Sequence, residues 1–398
     1  MARGRLYRGA GVLVLLLLVG CGGGAAPRPP LVGAVAVSIG SSHACAVMST
    51  GEVECWGGDV FGEVGDGNSG TPVPRPTIVA GLPGVKAVVS GPNHTCALET
   101  AGSVACWGDN VVGEVGNGST FGGLPGTEPG MLVTTPVPVA GLSGPVMALA
   151  TGGYRDEPGD TCAVILGGAV ECWGANLLGI GPDPNAIAVA PTAVPGLTET
   201  TMVAQSTASA CAVRANGQVA CLGLGPLGQP GQSSSSYSAT PVVVPGIAGA
   251  VAVAAGAFHA CALLGAGTVA CWGANTLGAL GDGTVLESPT PVTLQGVSGA
   301  IAIAAAGFQT CALIADGTVK CWGGLANGST PTVVPGLANA LSVSVSTNGA
   351  CAVVSGGRIK CWGDDGEGQL GSGEPIIPGS PPVTAPTFVV AGSSERPL

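Results

Sequence analysis

The chain holds 15 Cys and three His, and their spacing decides what chemistry they can do. Cys21 stands apart. The other fourteen fall into seven pairs with one spacing, C-x9-C: Cys45 with Cys55, Cys96 with Cys106, Cys162 with Cys172, Cys211 with Cys221, Cys261 with Cys271, Cys311 with Cys321 and Cys351 with Cys361. Paired cysteines serve as disulfides or as zinc thiolates. Zinc pairs usually lie two to four residues apart. Here a different constraint brings the partners together. Six residues after each first Cys stands a Gly: Gly51, Gly102, Gly168, Gly217, Gly267, Gly317 and Gly357. Apolar residues stand two after the first Cys and two before the second, as in Val47 and Val53. A three-residue turn at 49–51 then sets Met48 against Glu52, Val47 against Val53 and Cys45 against Cys55. This is an antiparallel hairpin whose Gly takes the left-handed conformation. Opposed residues in such a hairpin sit ~4.5–5.5 Å apart, within a disulfide's range. The spacing predicts seven cross-strand disulfides. Each contributes about 2–4 kcal/mol, toward the low end because the closed loop is short.

His43, His94 and His259 each lie two residues before a first Cys, and the other units hold Asp160, Ser209, Gln309 and Gly349 there. A metal or acid–base site would need the histidines to converge. The simpler expectation is a polar residue bonding within its own unit. No Ser-His-Asp pattern or phosphate loop stands out, since the Gly-rich stretches belong to the repeat. Asp66, Asp282 and the run Asp364-Asp365-Gly366-Glu367 lack the ligand count of a dedicated Ca²⁺ loop. They are read as solvated turn acids. We therefore expect no enzyme, no metal and no cofactor, with a hydrolase or lyase as the remote alternative.

The elements that place these residues follow from composition. The chain has 398 residues, of which 71 are Gly and 32 are Pro, and only 9% are charged. Its 46% apolar content argues against disorder. Gly and Pro are the poorest helix formers, so long helices are excluded and many short strands remain. Successive first cysteines are 51, 66, 49, 50, 50 and 40 residues apart, a tandem repeat of about 50 residues. Ala follows every first Cys (Ala46, Ala97, Ala163, Ala212, Ala262, Ala312, Ala352), on the strand face opposite the disulfide. Six second cysteines continue as Cys-Trp-Gly, and the fourth unit has Leu222 in place of Trp. A glycine ladder follows, then a Pro-rich strand.

The N-terminus reads as an address. Arg3, Arg5 and Arg8 precede an apolar stretch at 11–19, too short to span a bilayer. Leu18-Val19-Gly20-Cys21 resembles the bacterial lipobox, in which the Cys is lipidated and becomes the mature N-terminus. Residues 1–20 are then a signal peptide, and 21–31 are the lipidated Cys with a flexible tether. Gly22 favours the outer membrane or cell surface over inner-membrane retention. Removal of residues 1–20 takes away three of 12 cationic residues and leaves a net charge of −14. With three Lys and no basic patch, a nucleic-acid partner would lack its main source of affinity.

The repeat resembles that of the regulator of chromosome condensation. The residues that carry the likeness are Gly91-Pro92-Asn93-His94-Thr95-Cys96-Ala97-Leu98 and Cys106-Trp107-Gly108-Asp109-Asn110-Val111-Val112-Gly113-Glu114-Val115-Gly116. It covers residues 32–392 and leaves 393–398 as a tail. The resemblance implies an all-β, seven-bladed β-propeller, in which radial repetition protects the sheet edges. It also implies protein partners, which in the family range from a small GTPase to a beta-lactamase. Equivalent histidines are then spread around the ring. Units four and six depart from the pattern, with Gly223-Leu224-Gly225-Pro226-Leu227-Gly228 and a ladder shortened to Gly324-Leu325-Ala326-Asn327-Gly328, so reduced loops or weaker packing are expected there. Insertions fall in units two to four and bring Phe121, Tyr154, Arg155 and Tyr237. Tyr and Arg are enriched at binding hot spots, so these four are the candidate binding residues. The expectation is a monomeric, lipid-anchored envelope propeller that binds or scaffolds an unknown protein. The alternative is an inhibitor-like protein that blocks an envelope or extracellular enzyme.

Overall fold

The computed structural model describes residues 28–120, 132–153, 159–176, 178–180, 186–207, 209–225, 236–377 and 379–392. Each unit is a four-stranded antiparallel sheet, and seven sheets form a seven-bladed propeller. Blade one consists of Ala34–Ile39, His43–Met48, Val53–Gly57 and Val73–Ile78, in sequence order from the channel outward. Blades two to seven span 85–138, 146–193, 200–243, 250–293, 300–333 and 340–388. Every blade is continuous in sequence, so neither terminal strand completes another blade. Among the described residues, helix is confined to Thr276–Gly278 and Gly324–Asn327.

Burial explains the strand sequences. The second strand of blade one, HACAVM, is buried at every position. Its Ala residues admit the neighbouring blade. The fourth strand carries Pro74 and Pro76. Proline has no amide hydrogen to donate, which suits this strand to the blade's outer edge.

The hairpins match the spacing. Cys45 opposes Cys55 and Val47 opposes Val53. The Met48 amide donates to Glu52 O, and the Gly51 amide to Met48 O, each at 2.8 Å. All seven pairs are disulfides. Cys45 is bonded to Cys55, Cys96 to Cys106, Cys162 to Cys172 and Cys211 to Cys221. Cys261 is bonded to Cys271, Cys311 to Cys321 and Cys351 to Cys361. Their Cα atoms lie 4.0–4.1 Å apart, the close approach of opposed residues in a non-hydrogen-bonded pair. The zinc alternative is thereby set aside for every pair, since each sulfur is already bonded to its partner.

The hairpin glycines also join the blades. Each presents its carbonyl to the first amide of the next inner strand, as Gly51 O does to Val85 N at 2.9 Å and Gly168 O to Thr200 N at 3.0 Å. The last bond of this series, Ala34 N to Gly357 O at 2.9 Å, closes the ring between blades one and seven. Gly168 shows why this column admits only Gly. Its φ is +86°, and an added Cβ would lie 2.7 Å from Glu199 Cα in the next blade. Leu31 N adds a bond to Val389 O at 2.8 Å, so the two ends of the propeller meet at this junction.

On the opposite side the ladder does similar work. Four residues after the second Cys, an Asp or Asn side chain accepts an amide further along its own loop. Val64 N donates to Asp59 Oδ1 (3.0 Å), Val115 N to Asn110 Oδ1 (3.1 Å) and Leu280 N to Asn275 Oδ1 (2.8 Å). Ile180 N and Leu370 N donate likewise to Asn176 and Asp365. The folded loop offers a carbonyl to the next blade's Trp. Trp107 Nε1 donates to Glu63 O, Trp173 Nε1 to Glu114 O, Trp322 Nε1 to Ala279 O and Trp56 Nε1 to Gln369 O, at 2.7–3.0 Å. Units four and six hold Gly225 and Leu325 at the Asp/Asn position. Blade six also has a fourth strand of only two residues, Thr332–Val333. Trp362, which follows that blade, is 8% exposed, whereas the other five Trp are at most 1%. Leu222 fills the Trp position of blade four and is fully buried.

Candidate binding faces

The topology gives the propeller two unlike faces. One carries the turns from first to second strand and the ladders from third to fourth strand. The other carries the disulfide hairpins and the connections between blades. The ladder loops hold Asp59, Glu63, Asp66, Glu114, Asp282, Glu287, Asp364, Asp365, Glu367 and Glu374, and no Lys or Arg among the described residues. Arg75, on the outer strand of blade one, is the cation nearest this side among them. The hairpin face mixes Lys86, Arg214, Lys320, Arg358 and Lys360 with Glu52, Glu54, Glu99, Glu171, Glu199 and Asp316.

Several ladder carboxylates are buried. Burial pushes Glu63 up to about 8, with nearby Asp59 and Asp109 adding to the rise. Burial likewise raises Glu114 to about 7 and Asp59 to about 6. Their oxygens fold the loops: Glu63 Oε2 accepts Phe61 N at 2.7 Å, and Glu114 Oε2 accepts Val112 N at 2.9 Å. Asp59 Oδ2 is buried with no partner. Asp66, Asp282 and Asp364 cap turns through the amides of Asn68, Thr284 and Gly366. Among the described residues no three His, Cys, Asp or Glu side chains are grouped as a metal site.

The histidines correct one expectation: they bond between blades rather than within their own. His43 Nε2 lies 2.8 Å from Thr95 Oγ1, His94 Nε2 lies 2.8 Å from Thr161 Oγ1, and His259 Nε2 lies 2.7 Å from Thr310 Oγ1. In blade six, Gln309 Nε2 similarly reaches Ser346 O in blade seven at 2.8 Å. Burial holds His43 down to about 3, aided by His94, and His94 and His259 down to about 4. Neutral, enclosed rings of this kind staple blades and do not converge.

The central channel encloses about 330 Å³ between the inner strands of all seven blades. Its lining is Val, Ala, Ser, Gly, Thr, Ile, Pro and Gln205, without a charged side chain. Some of its hydroxyls are engaged between blades: Ser344 Oγ accepts Ile39 N at 3.1 Å, and Ser38 Oγ accepts Ser90 N at 2.9 Å.

Of the candidate binding residues, Tyr237 is described. It begins the outer strand of blade four, is half exposed, and donates its hydroxyl to Leu178 O of blade three at 2.8 Å. Phe121, Tyr154, Arg155 and Cys21 lie outside the described residues. The strands on either side of the three insertions all end on the ladder face. The repeat motif contains the Asn at 110 and 275, but the sequence reading did not join it to Asp59, Asn176 and Asp365 as one column that folds the ladder loop. Its constant offset of four from each second Cys could have shown it.

Comparison with known proteins agrees with this geometry. Residues 34–63, 85–114 and 250–279 match one model of the regulator of chromosome condensation (RCC1) repeat, and 266–313 match a second. The ultraviolet-B receptor UVR8 of Arabidopsis thaliana is 30% identical over 171 residues, 41% of this chain and 34% of that protein. The E3 ubiquitin-protein ligase HERC2 of Homo sapiens is 35% identical over 85 residues, 21% of this chain and 2% of its own length. The matches thus span about a third or less of these curated relatives. Among solved structures, Prp20p from Saccharomyces cerevisiae has a TM-score of 0.71 at 21% identity, covering 86% of each chain. Human WBSCR16 has a TM-score of 0.65 at 21% identity, covering 78% of this chain and 83% of its own. These two likenesses speak to the fold.

Proposed function

We propose that this chain, which carries regulator of chromosome condensation repeats, is a non-catalytic, protein-binding propeller held by a lipid at a bacterial cell envelope. In this reading residues 1–20 are removed, Cys21 carries the lipid, and the outer membrane or cell surface is the destination. The ladder face binds the partner. The separation of charge between the two faces carries the proposal. Apart from the buried Asp59, Glu63 and Glu114, the ladders carry Asp66, Asp282, Glu287, Asp364, Asp365, Glu367 and Glu374 without described Lys or Arg, while the hairpin face is mixed. A partner with a basic protein surface fits, because complementary potential speeds encounter and excludes acidic competitors. The insertions at 119–131, 154–158 and 233–236 lie between strands that end on this same face, so Phe121, Tyr154, Arg155 and Tyr237 would set specificity within the acidic field.

The test is a cross-linking pull-down from the native envelope. The wild type should recover a basic partner whose yield falls as salt rises. A variant carrying Asp66→Asn, Asp282→Asn and Glu287→Gln should lose most of it. Equal recovery by that variant would reject the ladder face. The anchor is tested separately: Cys21→Ser should abolish flotation with membranes.

A further inference from the structure

We propose that the hairpin face rests on a phospholipid bilayer, so that the ladder face is turned away from the membrane. The proposal rests on the lipid-anchor reading of Cys21 and adds a second, protein-borne contact to it.

Three observations point the same way. The first is a ring of bulges. In every blade the second residue of the inner strand is skipped by the pairing register, as between Ala34 and Ala36, Ala250 and Ala252, or Ala300 and Ala302. A bulge leaves its extra residue unpaired and re-aims its side chain. The residues so freed are Val35, Lys86, Met147, Thr201, Val251, Ile301 and Leu341, and all are exposed. The five apolar ones are 41–63% exposed. Blades five, six, seven and one are consecutive, and adjoining inner strands lie against one another. Val251, Ile301, Leu341 and Val35 therefore form an apolar arc at the hairpin mouth of the channel. Single exposed apolar residues are ordinary. The same bulge position filled with Val, Ile, Leu and Val in four consecutive blades is a patch.

The second observation is charge. Lys86, Arg214, Lys320, Arg358 and Lys360 share this side with Glu52, Glu54, Glu99, Glu171, Glu199 and Asp316, so its charge is close to balanced, whereas the ladder side carries carboxylates without described Lys or Arg. Lys320 Nζ and Lys360 Nζ reach Gly296 O and Gly336 O in its interblade turns. Anionic headgroups would repel the ladder carboxylates, so of the two faces the hairpin face is the one that can approach the bilayer.

The third is the route of the chain. It enters the propeller on the hairpin side, with Leu31 bonded to Val389 and Ala34 to Gly357. From Cys21 to Pro30 a fully extended chain covers at most roughly 30 Å. A lipid at Cys21 thus holds this face within a short reach of the bilayer.

The mature chain carries its own probes, because Lys86, Lys320 and Lys360 are its only lysines and all belong to this side. The lipidated protein would be placed on phosphatidylethanolamine/phosphatidylglycerol vesicles and pulsed with an amine-acylating reagent. A parallel pulse with a carbodiimide and an amine reports on Asp282 and Glu287 of the ladder face. Acylation of Lys86 should run at least five-fold slower than in a Val251→Glu, Ile301→Glu, Leu341→Glu variant on the same vesicles. Amidation of Asp282 and Glu287 should be equal in the two. A chain that does not float with vesicles overturns the anchor, and the docking with it. A chain that floats but shows the same Lys86 rate in both proteins overturns the docking and leaves the anchor standing. Protection found in native envelopes and absent on vesicles would assign the face to a protein and also overturn the proposal.

Discussion

The Trp107 indole of blade two donates to the Glu63 carbonyl of blade one at 2.7 Å. Thr95 Oγ1 donates to the same oxygen at 3.1 Å, and His43 Nε2 lies 2.8 Å from that hydroxyl. The hydroxyl proton of Thr95 is committed to Glu63 O, so His43 must donate from Nε2. The ring is therefore the neutral Nε2–H tautomer. One loop carbonyl of blade one receives two donors from blade two, and a blade-one side chain closes the circuit.

Removing the indole donor tests the latch. Trp107→Phe keeps much of the buried volume and leaves Glu63 O with one donor. A buried hydrogen bond contributes about 1 kcal/mol, and added packing loss should bring the cost to about 1–3 kcal/mol. The same change at Trp362, whose neighbour has the shortened ladder, should cost less. Chemical denaturation of both variants at neutral pH measures the difference.

The buried carboxylates predict a pH dependence with a definite sign. Burial raises the folded-state affinity of Asp59 and Glu63 for protons, to about 6 and about 8. Stability they support is complete below their unfolded values near 4 and is lost as pH rises toward 8. Asp59→Asn supplies the amide that blade two already has at Asn110, and its new NH₂ replaces a partnerless carboxylate oxygen. It should raise the melting temperature by a few degrees at pH 8 and change little at pH 4.5. The histidines act on the other limb. Burial depresses them to about 3 or 4, so the unfolded chain takes up protons below pH 6.5 and stability falls from there downward.

Much of the fold was legible because the hairpin is a local object. C-x9-C with Gly at the sixth position fixes register, turn and disulfide within eleven residues. The Pro column marked the edge strand for an equally local reason. What the sequence did not display is contact between units. That His94 bonds Thr161 depends on how blades two and three pack, and no spacing within a unit reports it. The exposed bulge at Val35 was hidden for the same reason, since an alternating strand pattern cannot show which residue the pairing skips. The Asn of the ladder was legible as a repeated residue, but its work of holding an amide five residues on, which Asp59 and Asp365 share, shows only in the folded loop.

The disulfides give a direct count. Denatured, unreduced mature protein with its lipidated Cys21 should show no free thiol, and reduction should release fourteen. Replacing one pair, Cys96→Ala with Cys106→Ala, should cost about 2–3 kcal/mol because the loop is short. The hairpin should still form, since the Gly102 carbonyl continues to hold Val146 N at 2.8 Å. Fourteen free thiols before reduction would reject the disulfide pairing.

Gly91 and His94 provide a final test, in which two harmful changes should cancel. An added Cβ at Gly91 would have its three nearest atoms in the His94 ring, the closest, Cε1, at 2.6 Å. Blades one and five repeat the pair as Gly40 with His43 and Gly256 with His259, whereas blade four has Ser206 and Ser209 at these positions. There the two hydroxyls bond at 2.8 Å, and the Ser209 amide donates to Ser206 Oγ at 3.0 Å. Gly91→Ser alone should force the ring aside and cost at least about 2 kcal/mol. His94→Ser alone leaves a cavity and removes the Thr161 partner, at a similar cost. Together they rebuild the blade-four arrangement, so the double variant should be more stable than the sum of the single changes implies, by about 1–3 kcal/mol. Denaturant midpoints for the four proteins decide it. Strict additivity would show that Gly91 is required by something other than the imidazole.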